Sequence, residues 1–580
     1  MKYYIGLATS FHDPAIAIVN EKGELIFAED AERFLGYKRG LYCLPDNPYY
    51  IEEVLKTHCA DCTELVIAKT WSKGREKSTN ILENVVLSIL ETFSFNIDVN
   101  TRDIKDQFYF ARASQAAAGR TLSRFFEAGC RNFIVGNYRT KKPTDIRYHD
   151  HHLTHAANAC FNSPYDDAAC IVVDGMGEKS SIAYYTYKNG QIKPAPIKVK
   201  RSFKSLGLFY TIICENLGFD PLKGEEWKVM GLAPYGKKDQ QVYDLLRASL
   251  QVKNGNFAVP KNLNAIMKEI KSMAREPGES VERFKDFAYT GQLVFGEIFM
   301  DLINAAYDYA PSKNLAISGG CALNSSFMGT ALARSKFENI FVPSAPADDG
   351  NAIGAAFLSY QQDHPNWQPS KTVQSPYTGS VVKEKSLQKL AQYGHLKATE
   401  CGDDVYQKTA EFLAQGKIIG WAQGRAEFGP RSLGNRSILA NPCLPDMKDT
   451  INARVKFREE FRPFAPSILH EYGDEYFENY QESPYMERTL VFKEAVRHRV
   501  PAVVHVDNTG RLQSVKKEWN EPYYNLISRF KEITGVPVLL NTSFNIMGKP
   551  IVHSVEDMLA VFLMSGIDVL VINNTIYEKH

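Results

Sequence analysis

The chain reads as an α/β protein: a duplicated α/β core, then a proline-rich break, then a second α/β domain. Three observations carry that reading. A strand, loop, strand, turn, strand layout occurs twice, composition changes sharply near residue 364, and 580 residues with 44% hydrophobic content exceed what one ordinary core buries.

In order, residues 3–8 and 15–19 read as buried strands joined by a short polar loop at His12-Asp13, and 25–28 returns after a turn at 20–23. Residues 114–128 read as helix and 133–136 as a short strand leading toward a histidine group. Strands at 169–174 and 182–187, with a turn at Lys188-Asn189-Gly190, repeat the opening layout, so a nucleotide or substrate cleft between the halves is expected. The charged stretch 238–290 reads as a helical excursion over the core. Residues 315–325 read as a strand feeding the glycine turn Gly319-Gly320 and then a helix, and 351–360 as the helix that closes this unit. The glycines and proline of 224–236 predict a loop carrying the polar group Glu226, Lys228 and Tyr235, with Trp227 and Met230 as packing residues.

Residues 364–380 hold Pro365, Pro369 and Pro376 without useful periodicity and read as a linker, giving units at 1–362 and 382–580 around a linker at 363–381. The second unit opens with a helix near 404–413 and a strand at 418–422. The arginine-rich, glycine-interrupted stretch 424–438 follows. Lys456, Arg458 and Arg462 precede Pro463, residues 503–507 read as a strand before Thr509, Gly510 and Arg511, and the apolar run 538–540 delivers Asn541-Thr542-Ser543-Phe544-Asn545. Cations, a hydroxyl and amides at successive strand ends suit a phosphorylated small substrate.

A formal net charge of +1 gives no bulk attraction to nucleic acid or membrane, so phosphate binding is expected to be local. Ten scattered cysteines fit reduced structural thiols. The N-terminal residues turn polar too early for a secretory core, and no run of about 18 uncharged apolar residues occurs, so a cytoplasmic protein is expected.

His151 and His155 lie four apart in a stretch that reads as helix, so both point from one face and can share a divalent ion, while His152 points elsewhere. Further ligands must come from other elements, and Asp174 and Asp348 stand at strand or loop ends. The alternative is a helix N-terminus with one core and one capping histidine. The Gly319-Gly320 turn similarly serves either to cradle phosphate or as a tight turn.

Together Phe11-His12-Asp13, His151-xxx-His155, Val173-Asp174-Gly175, Gly319-Gly320-x-Ala322-Leu323-Asn324, Asp348-x-Gly350, Gly429-Pro430-Arg431-x-Leu433-Gly434-x-Arg436-Ser437, Arg462-Pro463-Phe464-Ala465-Pro466 and Asn541-Thr542-Ser543-Phe544-Asn545 resemble the O-carbamoyltransferases of the nodulation and antibiotic-tailoring type. That resemblance implies an actin-like ATPase (ASKHA) domain joined to a YrdC-like domain of the threonylcarbamoyl-adenylate synthase type. It implies that the second domain converts carbamoyl phosphate and ATP, with Mg²⁺, to carbamoyl-adenylate and pyrophosphate, and that the first passes the carbamoyl group to a small-molecule hydroxyl acceptor such as an antibiotic or guanidinium toxin. By the same resemblance, His151, His155, Asp174 and Asp348 hold Fe²⁺ or another divalent metal. Arg431, Lys456, Arg462, Arg511, Ser543 and Asn545 bind carbamoyl phosphate and ATP, with Arg431 and Arg462 catalytic. His12 lies near the acceptor as a catalytic residue, and Gly319, Gly320 and Asn324 lie on the nucleotide side of the first domain. No nucleic-acid or membrane partner is implied, and a homodimer stays open. Pro14 and Cys321 depart from the usual residues of the family without removing a polar group from a motif.

A tRNA-modifying enzyme using threonylcarbamoyl-adenylate is the main alternative, which near-neutral charge disfavours. A sugar kinase would leave the arginine-rich second unit unexplained. Acceptor choice is expected in residues 36–50, 71–80 and 202–227.

Overall fold

The computed structural model describes residues 1–10, 12–73, 129–130, 145–202 and 204–579. Phe11, the helix expected at 114–128 and the strand expected at 133–136 lie outside the described residues, as do parts of the stretches expected to choose the acceptor.

Strands β1 (Lys2–Ala8), β2 (Ala15–Val19), β3 (Leu25–Asp30), β4 (Glu64–Lys69) and β5 (Asp145–Tyr148) form one sheet in the order β3-β2-β1-β4-β5. β1 to β3 are an antiparallel meander, and β4 and β5 add in parallel. Strands β6 (Asp167–Val173), β7 (Ile182–Lys188) and β8 (Gln191–Pro194) make a second meander. After the small hairpin β9 (Gln251–Lys253) and β10 (Asn256–Ala258), strands β11 (Asn314–Ser318) and β12 (Asn339–Phe341) extend it in parallel, giving β8-β7-β6-β11-β12. The two sheets therefore share one strand order and one pattern of directions, the duplication that the repeated sequence layout predicts.

Between the sheets lie the helices His151–Phe161 and Asn351–Asp363, in a core rich in alanine: Ala8, Ala15 and Ala17 from one sheet, Ala168 and Ala316 from the other, and Ala156, Ala157, Ala352 and Ala356 from the helices. Small side chains let the layers approach closely. A Cβ on Gly354 would sit 1.9 Å from the Thr154 carbonyl oxygen, so the crossing of the two helices requires glycine there. On the outer face of the second sheet, the long helix Lys285–Tyr309 buries Phe295, Phe299 and Ile303, and the charged stretch packs around it as helices Gln240–Ser249 and Leu263–Ser272.

The remainder builds a nine-stranded mixed sheet from β13 (Lys397–Glu400), β14 (Ile419–Ala422), β15 (Arg436–Ala440), β16 (Ala465–Leu469), β17 (Arg488–Val491), β18 (Thr509–Val515), β19 (Val538–Ser543), β20 (Val569–Ile572) and β21 (Thr575–Glu578), in the order β13-β21-β20-β14-β15-β19-β16-β18-β17. It has its own core around Trp421, Phe530, Leu540 and Phe562. Residues 364–380 contain no helix or strand but are fastened to both sides: Trp367 stacks on Phe357, the Tyr377 hydroxyl donates to the Leu433 carbonyl oxygen at 2.8 Å, and Ser380 Oγ donates to Glu29 at 2.7 Å.

Two expectations are corrected. Residues 224–236 are not a loop: Glu226–Leu232 is helical and Ala233–Tyr235 is a 3-10 turn. Gly231 gives that helix a bare face against Phe461 and Pro463, and Pro234 lies in the first turn of the next element, where its missing N–H costs nothing. Residues 503–507 are not a strand. Pro501 opens a 3-10 turn, the chain reverses with Asn508 at φ 64°, and Arg511 lies inside β18.

Candidate metal centre and arginine pocket

Asp150 caps the His151–Phe161 helix by accepting from Leu153 N at 3.1 Å, which starts the helix where both histidines face inward. Asp174 follows β6, and Asp348 lies in the turn that opens the Asn351–Asp363 helix, so the close helix crossing brings Asp348 over His155. His151 Nε2 is 3.4 Å from Asp174 Oδ2 and 3.5 Å from Asp348 Oδ1. His155 Nε2 is 3.9 and 3.3 Å from the same atoms. All four residues are buried, and their ligand atoms lie within 4.8 Å of one another.

Ligand bonds of about 2.1 Å at tetrahedral angles would separate donor atoms by about 3.4 Å. Two imidazoles and two carboxylates at these spacings therefore fit a divalent cation. The electrostatics agree. Burial opposes charging of His151, yet Asp348 and Asp174 more than offset it and push its pKa up to about 10. Burial likewise opposes ionisation of Asp348, but His151, His155 and His12 hold its carboxyl well below the usual range. A proton thus stands in for positive charge that two clustered carboxylates require. His152 faces away against Gly177, and burial followed by the neighbouring His151 drives its pKa down to about 3.

Gly320 N donates to Asp174 Oδ1 at 3.0 Å, and Asn324 caps the Ser325–Arg334 helix while exchanging hydrogen bonds with Gln292 at 2.9 and 3.0 Å. These turn residues support the carboxylate and the helix start. His12 Nδ1 lies 2.9 Å from Asp13 Oδ2, and Asp13 takes an ion pair from Arg39 at 2.7 Å. Asp13 has φ 50°, a left-handed conformation that a short polar side chain tolerates, and Arg39 O accepts from its amide at 2.7 Å.

The second group of residues also converges. Gly429, at φ 111°, turns the chain into Arg431, and Glu427 Oε1 organises the following loop by accepting from Leu433 N, Asn435 N and Arg436 N at 2.6, 3.4 and 3.2 Å. Arg436 is fully buried on carbonyl oxygens of Gln423, Gly424 and Asn435, so its role is to hold that loop. Lys456 Nζ donates to Ser543 O at 2.5 Å, Ser543 Oγ at 3.3 Å, Asn545 O at 2.9 Å and Asn545 Oδ1 at 2.8 Å, which fastens the loop after β19.

Arg431, Arg458, Arg462 and Arg511 share one electrostatic neighbourhood. Burial, and then Arg431, Arg458 and Arg462, hold the pKa of Arg511 well below its ordinary value, and burial with Arg462 lowers Arg431 to about 10. Arg511 Nε is buried without a hydrogen-bond partner. The acidic groups acting on this cluster are Glu459, which pairs with Lys228 at 2.7 Å and Arg462 at 3.5 Å, and Glu225, which acts on Arg462 and pairs with Lys228 at 2.9 Å. Mutually repelling guanidinium groups that outnumber these carboxylates make an arrangement suited to an anion. Arg458, grouped with these cations in the sequence but given no role, belongs to the cluster. Its guanidinium lies over Phe464, 4.4 Å from the ring centroid.

The two sites are neighbours. Trp227 has Arg462 5.6 Å and Lys38 5.9 Å from its ring, and Arg39, which braces Asp13, also acts on Glu226 and Asp348. Arg33 Nη2 reaches from the first unit to the carbonyl oxygens of Glu427 and Gly429 at 3.3 and 2.8 Å. Among the described residues, no helix is long and apolar enough to cross a membrane.

Comparison with known proteins accounts for both halves. A family model described as carbamoyltransferase N-terminus matches residues 3–357, and one described as carbamoyltransferase C-terminus matches residues 410–579. Nodulation protein U of Sinorhizobium fredii is 35% identical over 536 residues, covering 84% of this chain and 90% of that protein. Nodulation protein NolO of Bradyrhizobium diazoefficiens is 35% identical over 445 residues, covering 74% and 79%. An uncharacterized protein of Synechocystis is 30% identical over 631 residues, covering 100% and 97%. With matches running through the strands that carry the metal-ligand cluster and through the loops that carry the arginines, the chain belongs to the carbamoyltransferase family of enzymes.

Proposed function

We propose that this carbamoyltransferase moves the carbamoyl group of carbamoyl phosphate through carbamoyl-adenylate to a hydroxyl of a small-molecule natural product. In this reading residues 382–580 form the YrdC-like unit that makes the adenylate, and residues 1–362 form the actin-like unit that transfers the carbamoyl group. The observation that carries it is the under-compensated cluster of Arg431, Arg458, Arg462 and Arg511 beside the Lys456–Ser543–Asn545 network.

Carbamoyl phosphate and ATP are both anionic, so bringing them together costs repulsion that fixed guanidinium groups offset. Arg431, Arg462 and Arg511 hold the phosphate oxygens. Lys456 keeps Ser543 and Asn545 at the rim, where a hydroxyl and an amide orient the substrates. The step consumes one water and yields carbamoyl-adenylate, pyrophosphate and the inorganic phosphate of the donor. The mixed anhydride is prone to hydrolysis, which favours its passage to the first unit without release into bulk water.

There, His151, His155, Asp174 and Asp348 would hold a divalent ion, Fe²⁺ by family resemblance, which would supply Lewis acidity toward a carbamoyl oxygen. His12 donates Nδ1–H to Asp13, so Nε2 is the basic nitrogen that accepts the proton of the acceptor hydroxyl. Arg39 keeps Asp13 ionised and in place.

The test is pyrophosphate formation by purified protein with ATP and Mg²⁺. Formation that depends on carbamoyl phosphate supports the reading. Pyrophosphate formation with L-threonine and bicarbonate, and none with carbamoyl phosphate, would favour threonylcarbamoyl chemistry instead.

A further inference from the structure

We infer that Trp71 is the positioning residue that sets the ring plane of the metal ligand His151. The inference rests on the reading of His151, His155, Asp174 and Asp348 as a metal centre.

A histidine that ligates a metal through one ring nitrogen is normally oriented by a hydrogen bond at the other. His155 follows that rule: its Nδ1 faces Ser318 Oγ at 3.4 Å, and Ser318 Oγ is itself anchored on the Pro346 carbonyl oxygen at 3.1 Å. His151 does not. Its Nδ1 is buried with no hydrogen-bond partner among the described residues. Its ring instead lies flat against the indole of Trp71, with centroids 4.0 Å apart and planes 16° from parallel, and His155 meets it edge-on at 4.9 Å and 85°.

The division of labour follows from this geometry. Stacking fixes the plane of the His151 ring but is indifferent to a half-turn about its bond to Cβ. Asp174 and Asp348, at 3.4 and 3.5 Å from Nε2, choose which edge faces the centre. Trp71 is itself held on both sides. Thr70 Oγ1 accepts from Thr9 N at 3.2 Å, and Ser72 N and Oγ donate to the Glu178 carboxylate at 2.8 and 2.6 Å. Glu178 belongs to the loop that begins with Asp174, so one loop supplies a ligand and also clamps the residue that orients another. The indole comes from the end of β4 and the clamp from the loop after β6, which makes the centre a joint product of the two repeats.

The experiment uses the full chain, stripped with a chelator and titrated with Co²⁺ alone. Visible absorption reports ligand geometry and tryptophan emission reports proximity of the ion to Trp71. Wild-type protein is expected to take up about one equivalent, with emission falling as it binds. Trp71→Phe keeps a ring face and should hold Co²⁺ within a few-fold of wild type while losing most of the emission change. Trp71→Leu fills much of the space without a ring face and should weaken Co²⁺ binding roughly 10- to 100-fold with an altered absorption band, the size seen when an orienting partner is lost. Melting curves accompany each variant. Wild-type affinity and spectrum in Trp71→Leu would overturn the inference and leave the metal centre standing, whereas wild-type protein that takes up no Co²⁺ would overturn both. If Trp71→Leu does not fold, Trp71→Phe decides, because an undiminished emission change there places the ion away from the stack.

Discussion

Replacing Arg511 with glutamine separates an anion pocket from ordinary surface charge, because the account requires stability and binding to move in opposite directions. Arg511 is half-buried in β18, its Nε has no partner, and Arg431, Arg458 and Arg462 repel it. Glutamine keeps much of the stem, removes the charge and relieves that repulsion, so the substrate-free variant should gain on the order of 1 kcal/mol and melt slightly higher than wild type. A lost charge-assisted hydrogen bond is worth roughly 1.5–3 kcal/mol, so the KM for carbamoyl phosphate should rise about 10- to 150-fold. Carbamoyl phosphate at about 100 times its Kd should stabilise wild type by about 2.7 kcal/mol and the variant by only about 0.3–1.4 kcal/mol at the same concentration. Differential scanning fluorimetry with and without carbamoyl phosphate, beside initial rates of pyrophosphate release, reads both effects. A variant that melts lower without ligand and keeps its KM would refute the argument.

Three further outcomes are expected. Anaerobically purified protein should contain about one equivalent of divalent metal, and His151→Ala with His155→Ala should remove it as measured by elemental analysis, with the fold retained by circular dichroism. Arg33→Met should raise the KM for carbamoyl phosphate by roughly 10-fold at unchanged metal content, since Arg33 carries the Glu427 and Gly429 carbonyl oxygens on which the Arg431 loop is placed. Glu29 provides a pH test: burial opposes its ionisation, but His553 and Ser380 outweigh that and hold its pKa below 4.5. A carboxylate depressed on folding stabilises above its unfolded pKa and loses that contribution as pH falls through the folded value. Glu29→Gln should therefore melt lower than wild type at pH 7, and the gap should close as the pH is taken below 4.5; a constant gap would contradict this.

The convergence of His151, His155, Asp174 and Asp348 was largely legible in the sequence, because an i, i+4 histidine pair needs only a helix to converge and the two carboxylates sit directly after β6 and in the turn before the Asn351–Asp363 helix. The duplicated meander was legible for a similar reason: its strands are short, apolar and separated by clear turns. The failures have local causes. Residues 224–236 carry glycines and a proline that suggest a loop, yet Gly231 serves packing and Pro234 falls where a helix tolerates it. The Val503-Val504-His505-Val506 run has strand composition, but the turn at Asn508 moves the strand to Thr509–Val515. The β9–β10 hairpin had a signal in Asn254-Gly255, both at positive φ, inside a stretch whose charge suggested only helix. The proximity of Arg458 to Arg511, and the stack of Trp71 on His151, join residues far apart in the chain through sheet register and loop closure, which no local pattern encodes.

If one protein performs two chemical steps on two adjacent groups of residues, mutation separates them. His155→Ala and Arg431→Ala, each shown to be folded, are assayed side by side for pyrophosphate and for carbamoylated acceptor, with and without synthetic carbamoyl-adenylate. His155→Ala should still form pyrophosphate from ATP and carbamoyl phosphate but make no product, and Arg431→Ala should form no pyrophosphate yet recover product when given the adenylate. Equal loss of pyrophosphate in both variants, or rescue of His155→Ala alone by the adenylate, would contradict it.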